Sequence, residues 1–375
     1  MKIIHIITGL DTGGAEIMLY KLISHSDQNE FKIKVISLTD IGPIGDKIKL
    51  CNIPVEALGM KAGVPNPSFI FKLASILRKE KPDLVQTWMY HADLIGGLAA
   101  KMANNVPTIW GLHHSNLDPA QNKQMTLWTV KVCAKLSGRI PAKIVCCSEA
   151  SKVVHNAYGY NSKKLHVIPN GFDLKFFKPD CQYNESVRSE LGLNSNDIIV
   201  GNVARFDPLK DHTNLVNAAA IVHRQHPKVH FLLCGEGIND SNNQLFENIK
   251  NAGVKNVFHL LGRRSDIPRL TASFDIACLS SCGEGFPNVV GEAMACEVPC
   301  VVTNVGDSAS IVDDTGLVVP PHDAEQLADA LIKMIDMGEE KRRELGIKAR
   351  QRVIMHYSIR HIVQQYEDLY KSVIS

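Results

Sequence analysis

The chain has 375 residues, 45% of them hydrophobic, 21% charged and 6% aromatic, which is room for two or three domains of roughly 100–200 residues, each with its own core. That composition excludes disordered, collagenous and disulfide-stapled proteins, and no run of about 18 apolar residues is present to cross a membrane as a helix. The net charge of +2 is unevenly divided: residues 1–170 carry 20 Lys and Arg against 12 Asp and Glu, and residues 171–375 carry 21 against 27. A basic first half suits an anionic partner such as a membrane surface or a pyrophosphate-bearing substrate, or is simply a lysine-rich solvated face. Nucleic acid is not an expected partner, because the lysines are dispersed and no binding motif accompanies them.

The opening stretch, Lys2 to Thr8, is apolar, runs into Gly9 and Asp11, and reads as a first strand rather than a signal peptide. Short β-branched runs then recur at 32–38, 83–87, 107–112, 143–147 and 165–168. After a break they resume at 198–204, 229–234, 257–260, 275–279, 299–302 and 316–319, with helical patterns between most of them. Continuous apolar strands alternating with helices predict parallel sheets covered on both faces. Two such series predict an α/β chain of two doubly wound domains, 1–170 and 171–355. The break falls at Pro169-Asn170-Gly171 and the stretch 172–196, where turn residues and charges replace periodic hydrophobicity. In the last segment, 356–375, Ile359, Ile362, Val363, Tyr366, Leu369, Tyr370 and Val373 recur at helical spacing and predict an amphipathic helix that needs a surface to cover. The ten cysteines are scattered through apolar runs and lack paired C-x-x-C spacing, so a reducing compartment and no metal site are expected.

Open α/β sheets bind ligands at the carboxyl ends of their strands, and the motifs sit there. The first strand ends in a turn containing Gly13 and Gly14 before a helix. Such a turn lets backbone N–H groups approach an anion, although on the residues alone it is equally a plain tight turn. The strand at 198–204 leads into Arg205 and Lys210, a planar fork and a mobile point charge suited to adjacent phosphates, ahead of a helix that Asp211 can cap. A pair of loop surface charges is the other reading. The strand at 275–279 leads into Glu284-Gly285-Phe286-Pro287-Asn288-Val289, with Glu292 eight residues after Glu284. Pro287 at the first helical position would leave free N–H groups facing a ligand, and the two carboxylates can hold different parts of one polyhydroxyl molecule. The strand at 107–112 ends in His113 and His114, either of which can donate to a sugar hydroxyl. There is no G-x-S-x-G elbow, no H-E-x-x-H and no D-x-D, so metal-chelated nucleotide binding has no motif behind it.

Taken together, Gly-Gly-Ala-Glu at 13–16, His-His-Ser at 113–115, Val-Ile-Pro-Asn-Gly-Phe-Asp at 167–173, Ala-Arg-Phe through Lys210 and the Glu-x7-Glu element at 284–292 resemble the retaining glycosyltransferases of family 4 with the GT-B fold, in that family's order along nearly the whole chain. The resemblance implies two Rossmann-like domains facing across a cleft, with the final helix crossing back to the first. It implies that Arg205 and Lys210 bind the donor diphosphate with Gly13 and Gly14 nearby. Glu284, helped by backbone amides around the segment Gly285, Phe286, Pro287, Asn288 and Val289 (Pro287 itself has no N–H), would contact the donor sugar, Glu292 the ribose, and Gly235 and Arg263 would border the base. The family usually carries one His followed by a small residue where this chain has two, so that role falls to His113 or His114. The expected reaction is metal-independent, cofactor-free transfer from a nucleotide-diphosphate sugar, a UDP-sugar above all, to a glycan or lipid-linked acceptor in cell-surface polysaccharide or lipopolysaccharide assembly. The expected location is the cytoplasm, with peripheral contact to anionic membrane through the stretch 123–139, where Met125, Trp128, Val132 and Leu136 lie beside Lys131 and Lys135. The competing readings are a sugar-nucleotide epimerase of the same architecture and a nicotinamide-dependent oxidoreductase; the missing G-x-G-x-x-G speaks against the latter.

Overall fold

The computed structural model describes residues 1–61, 68–119 and 122–374, and it divides into two compact units. The first holds Met1–Gly171 and Ile359–Ser375, the second Phe172–Ser358.

In the first unit the strands are β1 (Lys2–Ile7), β2 (Lys32–Ser37), β3 (Val55–Ala57), β4 (Leu84–Trp88), β5 (Thr108–Leu112), β6 (Lys143–Cys146) and β7 (Leu165–Val167). The helices are α1 (Gly14–His25), α2 (Gly42–Leu50), α3 (Ser68–Glu80), α4 (Tyr90–Met102), α5 (Gln124–Leu136) and α6 (Glu149–Ala157). All the strand pairings are parallel, in the order β3-β2-β1-β4-β5-β6-β7. Alternation along β1 sends Ile3 and Ile7 into one core and Ile4 and Ile6 into another on the opposite face, which is why the strand reads as an unbroken apolar run.

The second unit contains α7 (Cys181–Leu191), β8 (Ile198–Val203), α8 (His212–Gln225), β9 (Val229–Cys234), α9 (Asn243–Asn251), β10 (Phe258–Leu260), α10 (Ile267–Thr271) and β11 (Ile276–Leu279). It continues with α11 (Asn288–Ala295), β12 (Cys300–Thr303), α12 (Ser308–Val312), β13 (Gly316–Val319), α13 (Ala324–Asp336) and α14 (Gly338–His356). Its parallel sheet runs β10-β9-β8-β11-β12-β13. Both units are Rossmann-like. In each, the order reverses beside the first strand, between β1 and β4 and between β8 and β11, and such switch points open a crevice at the strand ends.

The chain then returns to the first unit as α15 (Ile359–Ile374). Ile359, Ile362, Val363, Tyr366 and Tyr370 are buried in the same core as Ile3, Leu19, Leu22 and Trp88, and Leu369 and Val373 pack at its margin. The predicted terminal stripe therefore covers the first domain.

Two elements differ from the sequence reading. Strand β3 was not expected; it is a half-buried edge strand of three residues without an apolar run. Helix α7 lies inside the stretch read as irregular. It buries only Val187 and Arg188, too little to make a periodic stripe, and is delimited by Asp180, whose carboxylate accepts from the Gln182 amide, and by left-handed Gly192.

Candidate active site

In the second unit, three loops converge at the carboxyl ends of β8, β11 and β12. After β8 the chain passes through Ala204 and Arg205 into a short 3-10 turn, Pro208–Lys210. Asp207 caps that turn by accepting from the Leu209 amide, and Asp211 caps α8 by accepting from the Asn214 amide. The loop after β11 is fastened to it: the Ser280 hydroxyl donates to the Lys210 carbonyl at 2.9 Å and the Cys282 amide donates to the Leu209 carbonyl at 2.8 Å. The loop after β12 closes the group, with the Thr303 hydroxyl donating to Ser281 O at 2.6 Å and the Asp307 amide to Gly285 O at 3.0 Å. Gly306 has φ +55°, and a Cβ there would stand 2.5 Å from Gly285 O and 2.7 Å from Glu284 O. Only glycine lets these backbones approach so closely.

The side chains brought together are Lys210 and Glu284. The ammonium donates to Glu284 Oε1 at 2.6 Å, and the Ser281 hydroxyl donates to the same oxygen at 2.7 Å. Lys210 is 22% and Glu284 11% exposed, so the pair is well shielded yet open on one side. Arg205 is not part of that pair. Its guanidinium, 65% exposed, forks onto Asp207 Oδ2 at 3.0 and 3.1 Å. Burial of Asp207 opposes ionisation, but the Leu209 amide and Arg205 together hold its carboxyl below the usual range.

Helix α11 begins at Asn288. Pro287 occupies the N-cap, one residue before the first helical position assigned to it from the sequence, with extended backbone and no capping side chain. The shift follows from the loop: Phe286 is buried between Phe172 and Tyr357, at centroid distances of 6.1 and 5.8 Å, and this fixes where the helix can start. Phe286 thus supports the loop with its ring, while the first-turn amides near Val289 open at the helix terminus, where the helix field favours an anion. Glu292 stands half-buried one turn on. Gly235, after β9, packs against Ala204 O, which a Cβ would approach to 2.0 Å. Arg263 is exposed, whereas its neighbour Arg264 is tied to Glu190 and Asp266 at 2.8 Å.

The remaining sites lie in the first unit. Gly13 is the N-cap of α1 with extended backbone, and the Glu16 carboxylate folds over it, 2.2 Å from where a Cβ would stand. An anion reaching that turn must move Glu16, whose carboxyl is raised by burial above its usual range. His113 stacks on Trp88 at 4.8 Å and 16°, and both its ring nitrogens are shielded from solvent without a partner among the described residues. Burial holds its pKa down to about 4, so the ring is neutral. His114 is also lowered by burial, with Asn122 and Asn116 acting the other way.

Sequence reasoning missed Ser281, Asp207 and the Gly306 turn, and gave Glu16 no role beyond its place in the Gly-Gly-Ala-Glu motif. Asp207 had a legible signal as the residue before Pro208 at a strand-to-helix turn; the Gly306 turn depends on contact between distant loops, whereas Ser281 and Glu16 reach Glu284 and Gly13 three residues away through the local path of the chain.

Two family models match the chain: Glycosyltransferase Family 4 over residues 12–176 and Glycosyl transferases group 1 over 184–352. Among curated relatives, the UDP-Gal:alpha-D-GlcNAc-diphosphoundecaprenol alpha-1,3-galactosyltransferase of Escherichia coli is 26% identical over 313 residues, 81% of this chain and 79% of that protein. The N,N'-diacetylbacillosaminyl-diphospho-undecaprenol alpha-1,3-N-acetylgalactosaminyltransferase of Campylobacter jejuni is 25% identical across 97% of this chain and 98% of that one. Among solved structures, HepE of Anabaena in complex with UDP superposes with a TM-score of 0.87 at 26% identity, covering 99% of this chain and 100% of that one. The chain belongs to the GT-B glycosyltransferases of the family 4, group 1 type and is a sugar-transferring enzyme.

Proposed function

We propose that the protein transfers a hexosyl group from a UDP-sugar to a lipid-linked glycan acceptor with retention of anomeric configuration, in cell-surface polysaccharide assembly. The observation that carries this reading is the Lys210–Glu284 pair at the strand switch point, with the uncapped start of α11 beside it. An ammonium and helix-terminus amides suit a departing diphosphate, and a neighbouring carboxylate suits sugar hydroxyls. In the step proposed, the C1–O bond to the β-phosphate breaks and its electron pair leaves with the phosphate oxygen. The acceptor hydroxyl attacks C1 on the same face, and its proton passes to that oxygen. Lys210, Arg205 and the amides around Phe286 to Val289 neutralise the leaving group, so the step needs no metal. Glu284 orients the sugar, Glu292 the ribose, and Gly235 and Arg263 flank the base. Neutral His113, with ring nitrogens that a hydroxyl would complete, is the member of the His pair assigned to the sugar.

The names of the Escherichia coli and Campylobacter jejuni relatives, both of which carry a sugar on diphosphoundecaprenol, support a lipid-linked acceptor, and the Anabaena HepE structure in complex with UDP supports a uridine-diphosphate donor. Among the described residues no helix is long and apolar enough to cross a membrane. Peripheral docking is instead assigned to α5, which contains no acidic residue and exposes Trp128 (53%) and Met125 (44%) beside Lys131 and Lys135. The test is product analysis by NMR with a panel of nucleotide sugars and polyprenol diphosphate-linked acceptors, with and without EDTA. A retained α-linkage formed from a UDP-hexose in EDTA is the expected result. An inverted product, or activity that is lost in EDTA and restored by magnesium or manganese but not by zinc, refutes the reading.

A further inference from the structure

We propose that Asp211, Cys282 and His322 form a binding site for a divalent ion of the zinc class, separate from the transfer chemistry, that fastens together the loops following β8, β11 and β13. One ligand atom of each lies within 4.8 Å of the other two. His322 Nδ1 already meets Asp211 Oδ2 at 2.8 Å, while the other Asp211 oxygen is committed to the Asn214 amide at 3.1 Å, so the carboxylate is held still. The Cys282 backbone is anchored to Leu209, and its thiol makes a long contact to Pro208 O at 3.6 Å. Asp211 has φ +44° and His322 φ +59°, a left-handed conformation that Asp and His adopt more readily than most residues, and from these two turns the side chains meet.

The donor set specifies the ion. Thiolate, imidazole and carboxylate together select zinc or a similar borderline-soft ion, whereas magnesium and calcium take oxygen ligands. Three protein ligands leave a fourth tetrahedral position, and because His322 is exposed that position faces solvent and would hold water. Binding expels the Cys282 thiol proton and shifts the His322 ring proton to Nε2, freeing Nδ1 to ligate. Because Asp211 follows Lys210 and Cys282 lies two residues before Glu284, the ion would cross-link the two loops that present the Lys210–Glu284 pair and tie both to the loop after β13.

The test uses the full chain, stripped with EDTA and dialysed. Cobalt(II) added to one equivalent is expected to give a sulfur-to-cobalt charge-transfer absorption that zinc then abolishes, and zinc but not magnesium is expected to raise the thermal midpoint. C282S should lose the absorption entirely, C181S should keep it, and H322Q should weaken zinc binding by about tenfold or more. Far-UV circular dichroism of the metal-free variants keeps a folding defect apart from a binding defect. Absence of the charge-transfer band in the wild type, its persistence in C282S, or an equal thermal shift with magnesium overturns the proposal. None of these outcomes bears on whether sugar transfer itself occurs in EDTA.

Discussion

Replacing Lys210 by Ala removes an ammonium that lies 2.6 Å from Glu284 Oε1. The effect on stability can be bracketed from burial. Exposed ion pairs contribute about 0.2–1 kcal/mol, and breaking a buried one costs about 3–5 kcal/mol. A pair whose members are 22% and 11% exposed falls between these limits, on the order of 2 kcal/mol from the second domain. The Ser281 hydroxyl remains on the carboxylate and moderates the loss. The effect on turnover should be larger. Losing one preorganised electrostatic group at a developing anion typically lowers kcat by about 10²–10³, or roughly 3–4 kcal/mol. The assay is steady-state kinetics with the UDP-sugar donor, paired with calorimetric UDP affinity and urea unfolding of the same preparation. K210R keeps the charge but not the compact geometry and should recover part of kcat. A folded K210A variant whose kcat and UDP affinity both stay within about threefold of wild type would refute the assignment of Lys210 to the diphosphate.

Other substitutions and conditions probe the same logic. Gly306→Ala forces a Cβ to within 2.5 Å of Gly285 O at a positive φ, so donor affinity should fall about tenfold or more while first-domain stability is unchanged; intact UDP binding in G306A would contradict the loop geometry. His5, His155 and His212 are buried, with pKa values pushed down mainly by burial to about 3, 4 and 4. Each folded-state value lies below the unfolded one near 6.5, so the unfolded chain takes up the proton first. Stability should therefore be full above pH 6.5 and decline as pH falls toward 4, by on the order of 2 kcal/mol per histidine at pH 5; a flat urea midpoint between pH 7.5 and 5 would contradict this. Trp128→Ala combined with Lys131→Glu should abolish co-sedimentation with anionic vesicles and leave UDP affinity unchanged, and undiminished sedimentation of that variant would remove α5 as the docking surface.

Much of the framework was legible because burial on both faces writes parallel strands as apolar runs. Twelve of the thirteen strands among the described residues lie where those runs fall, and the stripe from Ile359 to Val373 announced α15. What escaped was short or weakly buried: β3 with three residues, and α7 with two buried side chains. Within the site, Arg205, Lys210, Glu284 and Glu292 could be singled out because each follows a strand. Their pairing could not. Glu284 lies 74 residues from Lys210 and meets it only because β11 is neighbour to β8, and Arg205, read from the sequence together with Lys210, has its guanidinium on Asp207. The Asp211–Cys282–His322 trio was hidden for the same reason, since metal-ligand spacing in a sequence reveals only ligands that share a local motif.

The position of α15 bears on biosynthesis. Ile362, Tyr366 and Tyr370 complete a core that otherwise belongs to the first 171 residues. A ribosome making this chain from its amino end therefore exposes an unfinished first lobe, with the face around Leu19, Leu22 and Trp88 uncovered, while every strand of the second lobe emerges and closes. The lobe begun first is sealed only after the second, and until α15 leaves the exit tunnel its bare apolar face is a surface for chaperones to shield.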